Sequence, residues 1–148
     1  MTTVGTLVDQ IGYAGDISVE EAWNMLKEDP KSTLVDVRTN AEWNFVGLPD
    51  LSALDKSVQT ISWALFPTMT PNPDFAEALK ACHPDMDAPI LFLCRTGVRS
   101  IAAAKTATAM GYKHCYNILD GFEGSPDQNR HRGTTNGWKA KKLDWVQN

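Results

Sequence analysis

Apolar residues along this chain follow two alternating rhythms, short continuous runs and longer helical stripes. Ile90-Leu91-Phe92-Leu93 is a continuous apolar run, the pattern of a strand covered on both faces. Thr33-Leu34-Val35-Asp36-Val37, Cys115-Tyr116-Asn117-Ile118-Leu119 and Ser57-Val58-Gln59-Thr60-Ile61 read as further short strands. Between them the period lengthens. Ala22, Trp23, Leu26 and the stem of Lys27 recur at helical spacing behind Ser18, an N-cap with Glu21 at the capping-box position, and Pro30 closes the element. Thr39 or Asn40 starts a short helix carrying Glu42, Trp43 and Phe45. Asn72 followed by Pro73 predicts the cap and first residue of a helix whose apolar face is Phe75, Ala76, Leu79 and Cys82. A helix from Ile101 to Met110 is rich in alanine and is stopped by Gly111. Residues 1–15 are expected to be an irregular lead-in. Gly47 to Leu54 carries no clear period, and beyond Gly121 a long ordered loop leads to a last short helix near residues 138–143.

Strands near residues 35, 60, 92 and 117 alternating with helices predict an α/β layer fold with a largely parallel sheet. The 148 residues show no repeat or linker, so one domain over 1–148 is expected. A hydrophobic fraction of 43% with 22% charged residues fits an ordinary globule, and a net charge of -4 does not favour nucleic acid or an anionic membrane as partner. Three widely spaced cysteines form no paired framework, and Met1-Thr2-Thr3-Val4 does not open a signal peptide, so the cytoplasm is the expected compartment. His83, His114 and His131 are scattered, and no metal site is expected.

The candidate chemistry lies in Cys94-Arg95-Thr96-Gly97-Val98-Arg99-Ser100, where a buried strand ends and a helix begins. Cys94 therefore lies outside the carboxyl end of a strand, where open α/β sheets bind ligands. Backbone N–H groups of Thr96, Gly97 and Val98 can converge there on one anionic atom, and a helix N-terminus adds positive potential. Both favour a thiolate, so Cys94 is the candidate nucleophile. Arg95, directly after it, is placed to meet an anionic substrate. Arg99 can tie the loop to a carboxylate, with Glu42 and Asp36 as candidates. Ser100 is expected to cap the helix or steady the loop. Cys82 and Cys115 fit a helix face and a strand as core filling.

Leu34-Val35-Asp36-Val37-Arg38 with Glu42, the Cys94–Ser100 loop, and Asn117-Ile118-Leu119-Asp120-Gly121-Phe122 together resemble the rhodanese family of sulfurtransferases, in its single-domain bacterial type. The resemblance covers a core of about 16–124, with 125–148 as a C-terminal extension. It implies a three-layer sandwich in which helices flank a central five-stranded parallel sheet. It also implies Asp36 and Arg38 beside the pocket, and an active cysteine that carries a persulfide as its only covalent intermediate, without another cofactor. After Glu42 the chain departs from many family members, with Phe45-Val46-Gly47-Leu48-Pro49 in place of Gly-His-Ile.

The resemblance makes Cys94 the attacking thiolate on the sulfane sulfur of thiosulfate or a related small anionic donor. Cyanide or a thiol then accepts the sulfur. Four residues separate Cys94 from Arg99, against five in cysteine phosphatases of related fold, and the tighter loop suits a single sulfur better than phosphate. Two other readings stay open: a sulfur-relay module served by a protein partner, and a noncatalytic interaction domain. Trp138 is a candidate shield over the pocket if the C-terminal extension folds across it.

Overall fold

The structure is a computed structural model and describes residues 12–147. Its centre is a parallel sheet of five strands in the order β1-β8-β7-β2-β4, with β1 at Gly15–Ile17, β2 at Thr33–Asp36, β4 at Gln59–Thr60, β7 at Ile90–Leu93 and β8 at Cys115–Ile118. Helices α1 (Val19–Glu28), α2 (Asn40–Phe45), α3 (Phe75–Cys82), α4 (Arg99–Met110) and α5 (Gly137–Ala140) connect or cover it. Two antiparallel pairs lie outside the sheet: β3 (Leu48–Pro49) with β9 (Trp145–Val146), and β5 (Ala64–Leu65) with β6 (Thr70–Pro71).

Side chains alternate across each strand, and that alternation sorts the core into two layers. Ile90, Phe92 and Cys94 join Val35, Val37, Phe75, Leu79 and the alanines Ala103, Ala104 and Ala107 on the α3–α4 face. Leu91 and Leu93 join Leu34, Ala22, Leu26, Phe122 and Trp138 on the α1–α5 face. The small residues of α4 let that helix lie close over β7 and β8, which fixes where its N-terminus meets the end of β7.

Local capping signals start two of the five helices among the described residues. Ser18 and Glu21 form a full capping box on α1, as do Thr39 and Glu42 on α2. Asn72 does not cap α3. Its carboxamide accepts from Asp74 N and donates to Ser62 O, so Asn72 and Pro73 form a turn ahead of a helix that begins at Phe75. The irregular lead-in expected over residues 1–15 falls largely outside the described residues, but Gly15–Ile17 is a strand, in register with Tyr116–Ile118. It is the fifth strand, and a three-residue edge piece shows no alternation in sequence. The final helix begins at Gly137 and ends at Ala140, earlier and shorter than the sequence pattern predicts.

Candidate active site

Strand alternation turns the side chain of Cys94 toward α4, where the residue is 1% exposed. The N–H of Gly97 donates to Cys94 Sγ at 3.1 Å, and Ser100 Oγ lies 3.2 Å from the same sulfur. Gly97 has φ +97°, and a Cβ there would press on Asp120 N at 3.3 Å and Ile118 O at 3.4 Å. Both the backbone conformation and the space require glycine. Of the three loop amides expected to face the sulfur, Gly97 is the one hydrogen-bonded to it among the described residues. Thr96 is half-buried, and the side chain of Val98 stands in solvent.

Ser100 does not cap α4. Val98 holds the N-cap position without a side-chain bond, and Ser100 sits inside the first turn with its hydroxyl between Cys94 and Asn117. The loop backbone is clamped from behind. Phe122 N donates to Cys94 O at 2.8 Å, and Glu123 N and Gly124 N both donate to Arg95 O. Gly121 makes this possible: at φ +63° a Cβ would run into the carbonyl of Cys94 and the backbone of Arg95.

Arg99 opens α4 and forks onto Glu42, with Nη1 at 2.8 Å from Oε1 and Nη2 at 2.9 Å from Oε2. Of the two carboxylates the sequence offered, Glu42 is the partner. The same carboxylate receives the Thr39 N–H of the capping box, so one side chain starts α2 and holds the loop. Burial pushes the Glu42 carboxyl up, but the hydrogen bonds and charge of Arg99 outweigh it, and the net shift is downward. Burial alone lowers Arg99; Glu42 reverses that and leaves the guanidinium more firmly protonated.

Asp36 pairs with Arg38 instead. Arg38 Nε donates to Asp36 Oδ1 at 2.9 Å and its Nη2 to Oδ2 at 2.7 Å, both side chains being fully buried. The guanidinium also holds Gly47 O at 2.7 Å and stacks over the Phe122 ring at 4.3 Å. The pair is a buttress behind the loop, with no exposed face toward a substrate. Arg95 is the contrast: its side chain is 47% exposed and its Nε only 3.4 Å from Glu123 Oε2. Its guanidinium stands at the solvent edge of the loop.

Trp138 does not shield the pocket. It is fully buried on the α1–α5 face, edge-on to Trp23 at 6.0 Å, and its indole N–H donates to Asp144 O. The extension instead docks behind the loop. Trp138 N donates to Gly121 O and Lys139 N to Phe122 O, while β9 pairs with β3 after α2. Burial pushes the thiol of Cys115 up to about 11 and raises that of Cys82, so both are held as neutral thiols.

The site residues that sequence reasoning passed over are Asn117 on β8, which meets Ser100, Asp16 on β1, which meets Asn117, and Gly121 past β8, which lies against the backbone of Cys94 and Arg95. Asn117 and Gly121 lie in a recognised motif, but no local signal marks which of its residues reach the sulfur. Asp16 lies in a strand too short to predict.

Comparison with known proteins bears on the family and the fold. A family profile described as the STR4 middle domain matches residues 14–148. The uncharacterized protein RC0915 of Rickettsia conorii is 41% identical over 131 residues, covering 88% of this chain and 95% of its own length. The crystal structure of Rv0390 from M. tuberculosis superposes with a TM-score of 0.85 at 48% identity, covering 92% of this chain and 99% of that one. The polysulfide-sulfur transferase homodimer of Wolinella succinogenes shares the fold, with a TM-score of 0.65 at 24% identity over 97% of this chain and 89% of its own. The parallel five-stranded sheet is the fold shared with rhodanese-like domains, and the family profile and the relatives lead to one conclusion: the chain belongs to the STR4 middle-domain family.

Proposed function

We propose that the chain is a sulfurtransferase, moving a sulfane sulfur from thiosulfate or a related small anionic donor to cyanide or a thiol through a Cys94 persulfide. The Cys94 thiolate attacks the outer sulfur of the donor, and sulfite leaves. The acceptor then attacks the outer sulfur of the persulfide, and Cys94 returns as thiolate. The persulfide is the covalent intermediate, and the steps call on no metal or resident cofactor.

The observation that carries this reading is the engagement of Arg99. Each of its terminal nitrogens donates to Glu42, at 2.8 and 2.9 Å, so the fork is already filled by a carboxylate. A tetrahedral oxyanion would need that fork turned inward. What remains at the sulfur is the Gly97 N–H, the Ser100 hydroxyl and the start of α4, a cup for one soft atom. Arg95 at the rim suits the sulfonate end of thiosulfate. The three cysteines are free, and no helix among the described residues is long and apolar enough to cross a membrane; both fit work in a reducing cytoplasm. A sulfur-relay protein as donor or acceptor would use the same cysteine.

Intact-mass analysis tests the reading. Reduced protein is offered thiosulfate, mercaptopyruvate or a cysteine-desulfurase donor separately. One added sulfur on Cys94, discharged by cyanide with release of thiocyanate, is expected with at least one donor. Turnover of a phosphate monoester that depends on Cys94, with no sulfur adduct from any donor, overturns it.

A further inference from the structure

A polar chain runs from the reactive sulfur to the edge of the sheet. Cys94 Sγ lies 3.2 Å from Ser100 Oγ, and Ser100 donates to Asn117 Oδ1. Asn117 Nδ2 donates to Asp16 Oδ1 at 2.9 Å, and the phenol of Tyr13 donates to the same oxygen at 2.8 Å. Ser100 and Asn117 are fully buried, whereas Asp16 reaches the surface.

The direction of every bond is set from the outer end. A carboxylate only accepts, so Asn117 must turn its NH2 toward Asp16 and its carbonyl oxygen toward Ser100. Tyr13 stays a donor, because burial, and then the hydrogen bond and charge of Asp16, push its phenol up to about 12. Ser100 has one proton. Committed to Asn117, it turns only a lone pair to Cys94. A thiol can donate to that lone pair, but a thiolate gains nothing from it and keeps only the Gly97 N–H.

Resting on the sulfur-transfer reading above, we infer that Asn117, oriented by Asp16, is a positioning residue that withholds the Ser100 proton from the Cys94 sulfur and so sets its balance between nucleophile and leaving group. In loading, Cys94 bonds to the outer sulfur of thiosulfate, the sulfur–sulfur bond of the donor breaks, and sulfite departs with its electron pair. In discharge, cyanide bonds to the outer sulfur, the persulfide bond breaks, and the electron pair returns to Cys94. The same atom attacks in one half-reaction and leaves in the other. A hydrogen bond added to it makes it a weaker nucleophile and a better leaving group, so the two rates move in opposite directions.

The test is a double-mutant cycle of Asn117→Leu and Ser100→Ala, with loading by thiosulfate and discharge by cyanide each measured on its high-pH plateau. In N117L the freed Ser100 proton turns to sulfur. Loading slows, discharge quickens, and their ratio changes by about tenfold, the size expected for one hydrogen bond redistributed between the two steps. In the S100A background N117L changes the ratio by less than about twofold. Asp16→Asn, on an exposed side chain, moves the ratio the same way by a smaller factor and carries the test if N117L does not fold. Both half-reactions slowing together in either variant, or an N117L effect that survives S100A, overturns the inference. Alkylation of Cys94 by iodoacetamide, with Cys82 and Cys115 replaced by alanine, repeats the cycle without any sulfur donor. If the unaltered protein takes up no sulfur while alkylation still follows the cycle, the sulfur-transfer reading falls and the positioning role stands.

Discussion

Cys115 opens β8 and Cys94 directly follows its neighbour β7, and both are all but closed to solvent. Cys115 is paired with Ile90, at the amino end of β7, whereas Cys94 follows its carboxyl end. At the amino end the sulfur of Cys115 meets the carbonyl of Tyr112 at 3.9 Å, and burial drives its thiol up to about 11. At the carboxyl end the sulfur of Cys94 meets the Gly97 N–H, a hydroxyl and the start of a twelve-residue helix. Burial is the same in the two places, and the neighbouring dipoles differ. A parallel sheet points its strands one way, so its two ends present opposite backbone groups to whatever side chain stops there.

The sharpest way to break this comparison is to exchange the roles of the cysteines. Cys94→Ser should reduce sulfur transfer by at least about a thousandfold, while Cys82→Ala and Cys115→Ala retain it, because the proposed mechanism makes Cys94 the nucleophile. Steady thiosulfate turnover by folded C94S would place the reactive sulfur elsewhere.

Next in size is the Arg99–Glu42 fork, which is largely buried, whereas the ion pair at the amino end, Lys113 with Asp87, stands in solvent. Glu42→Gln should lower stability by about 2 kcal/mol at neutral pH and slow loading, since a partly buried arginine is left without its charge partner. The carboxyl of Glu42 is shifted downward in the fold, so its contribution is complete above the ordinary carboxylate range. It is lost as pH falls through the lowered value. Melting curves of the wild type and E42Q should therefore differ at pH 7 and converge on acidification. A difference that is constant with pH would show that the pair does not act through its charge.

Arg95 should separate substrate binding from folding. Its side chain is half in solvent with one long contact to Glu123, so Arg95→Met should leave stability within about 0.5 kcal/mol. Loading by thiosulfate should fall by about tenfold, the loss of one charge-assisted contact to the sulfonate. Unchanged loading in R95M would remove Arg95 from the donor site.

The smallest effect is expected at the other end of the comparison. Cys115→Ala removes one buried sulfur from a core made largely of aliphatic and aromatic side chains. It should cost about 1 kcal/mol by denaturant melting and leave both half-reactions unchanged.

The cysteine loop was legible because all its residues are contiguous. A buried run, a turn with Gly97 and a helix stopped by Gly111 place Cys94 at the strand–helix junction without reference to any other part of the chain. The capping boxes at Ser18 and Thr39 are local for the same reason. Of the two readings of Ser100, helix cap or loop support, its position before an alanine-rich stretch suggested the cap, and the structure does not make it one. The helix starts two residues earlier, at Arg99, and the hydroxyl lies between Cys94 and Asn117. Asn72 also failed as a cap, its carboxamide being taken by the turn that joins it to Ser62.

By itself, the sequence determined the alternation of strands and helices, the parallel direction that this alternation imposes, and the placing of Cys94 at a carboxyl end. These follow from side-chain period and local hydrogen bonding, which act over a few residues. Tertiary structure alone decided that Glu42 rather than Asp36 holds Arg99, 57 residues away, and that Asn117 reaches Asp16 across a separation of 101. It also decided that Trp138 packs into the core behind the loop rather than over the pocket. Two carboxylates six residues apart offer Arg99 the same charge, and only strand register and helix packing bring one of them within 3 Å.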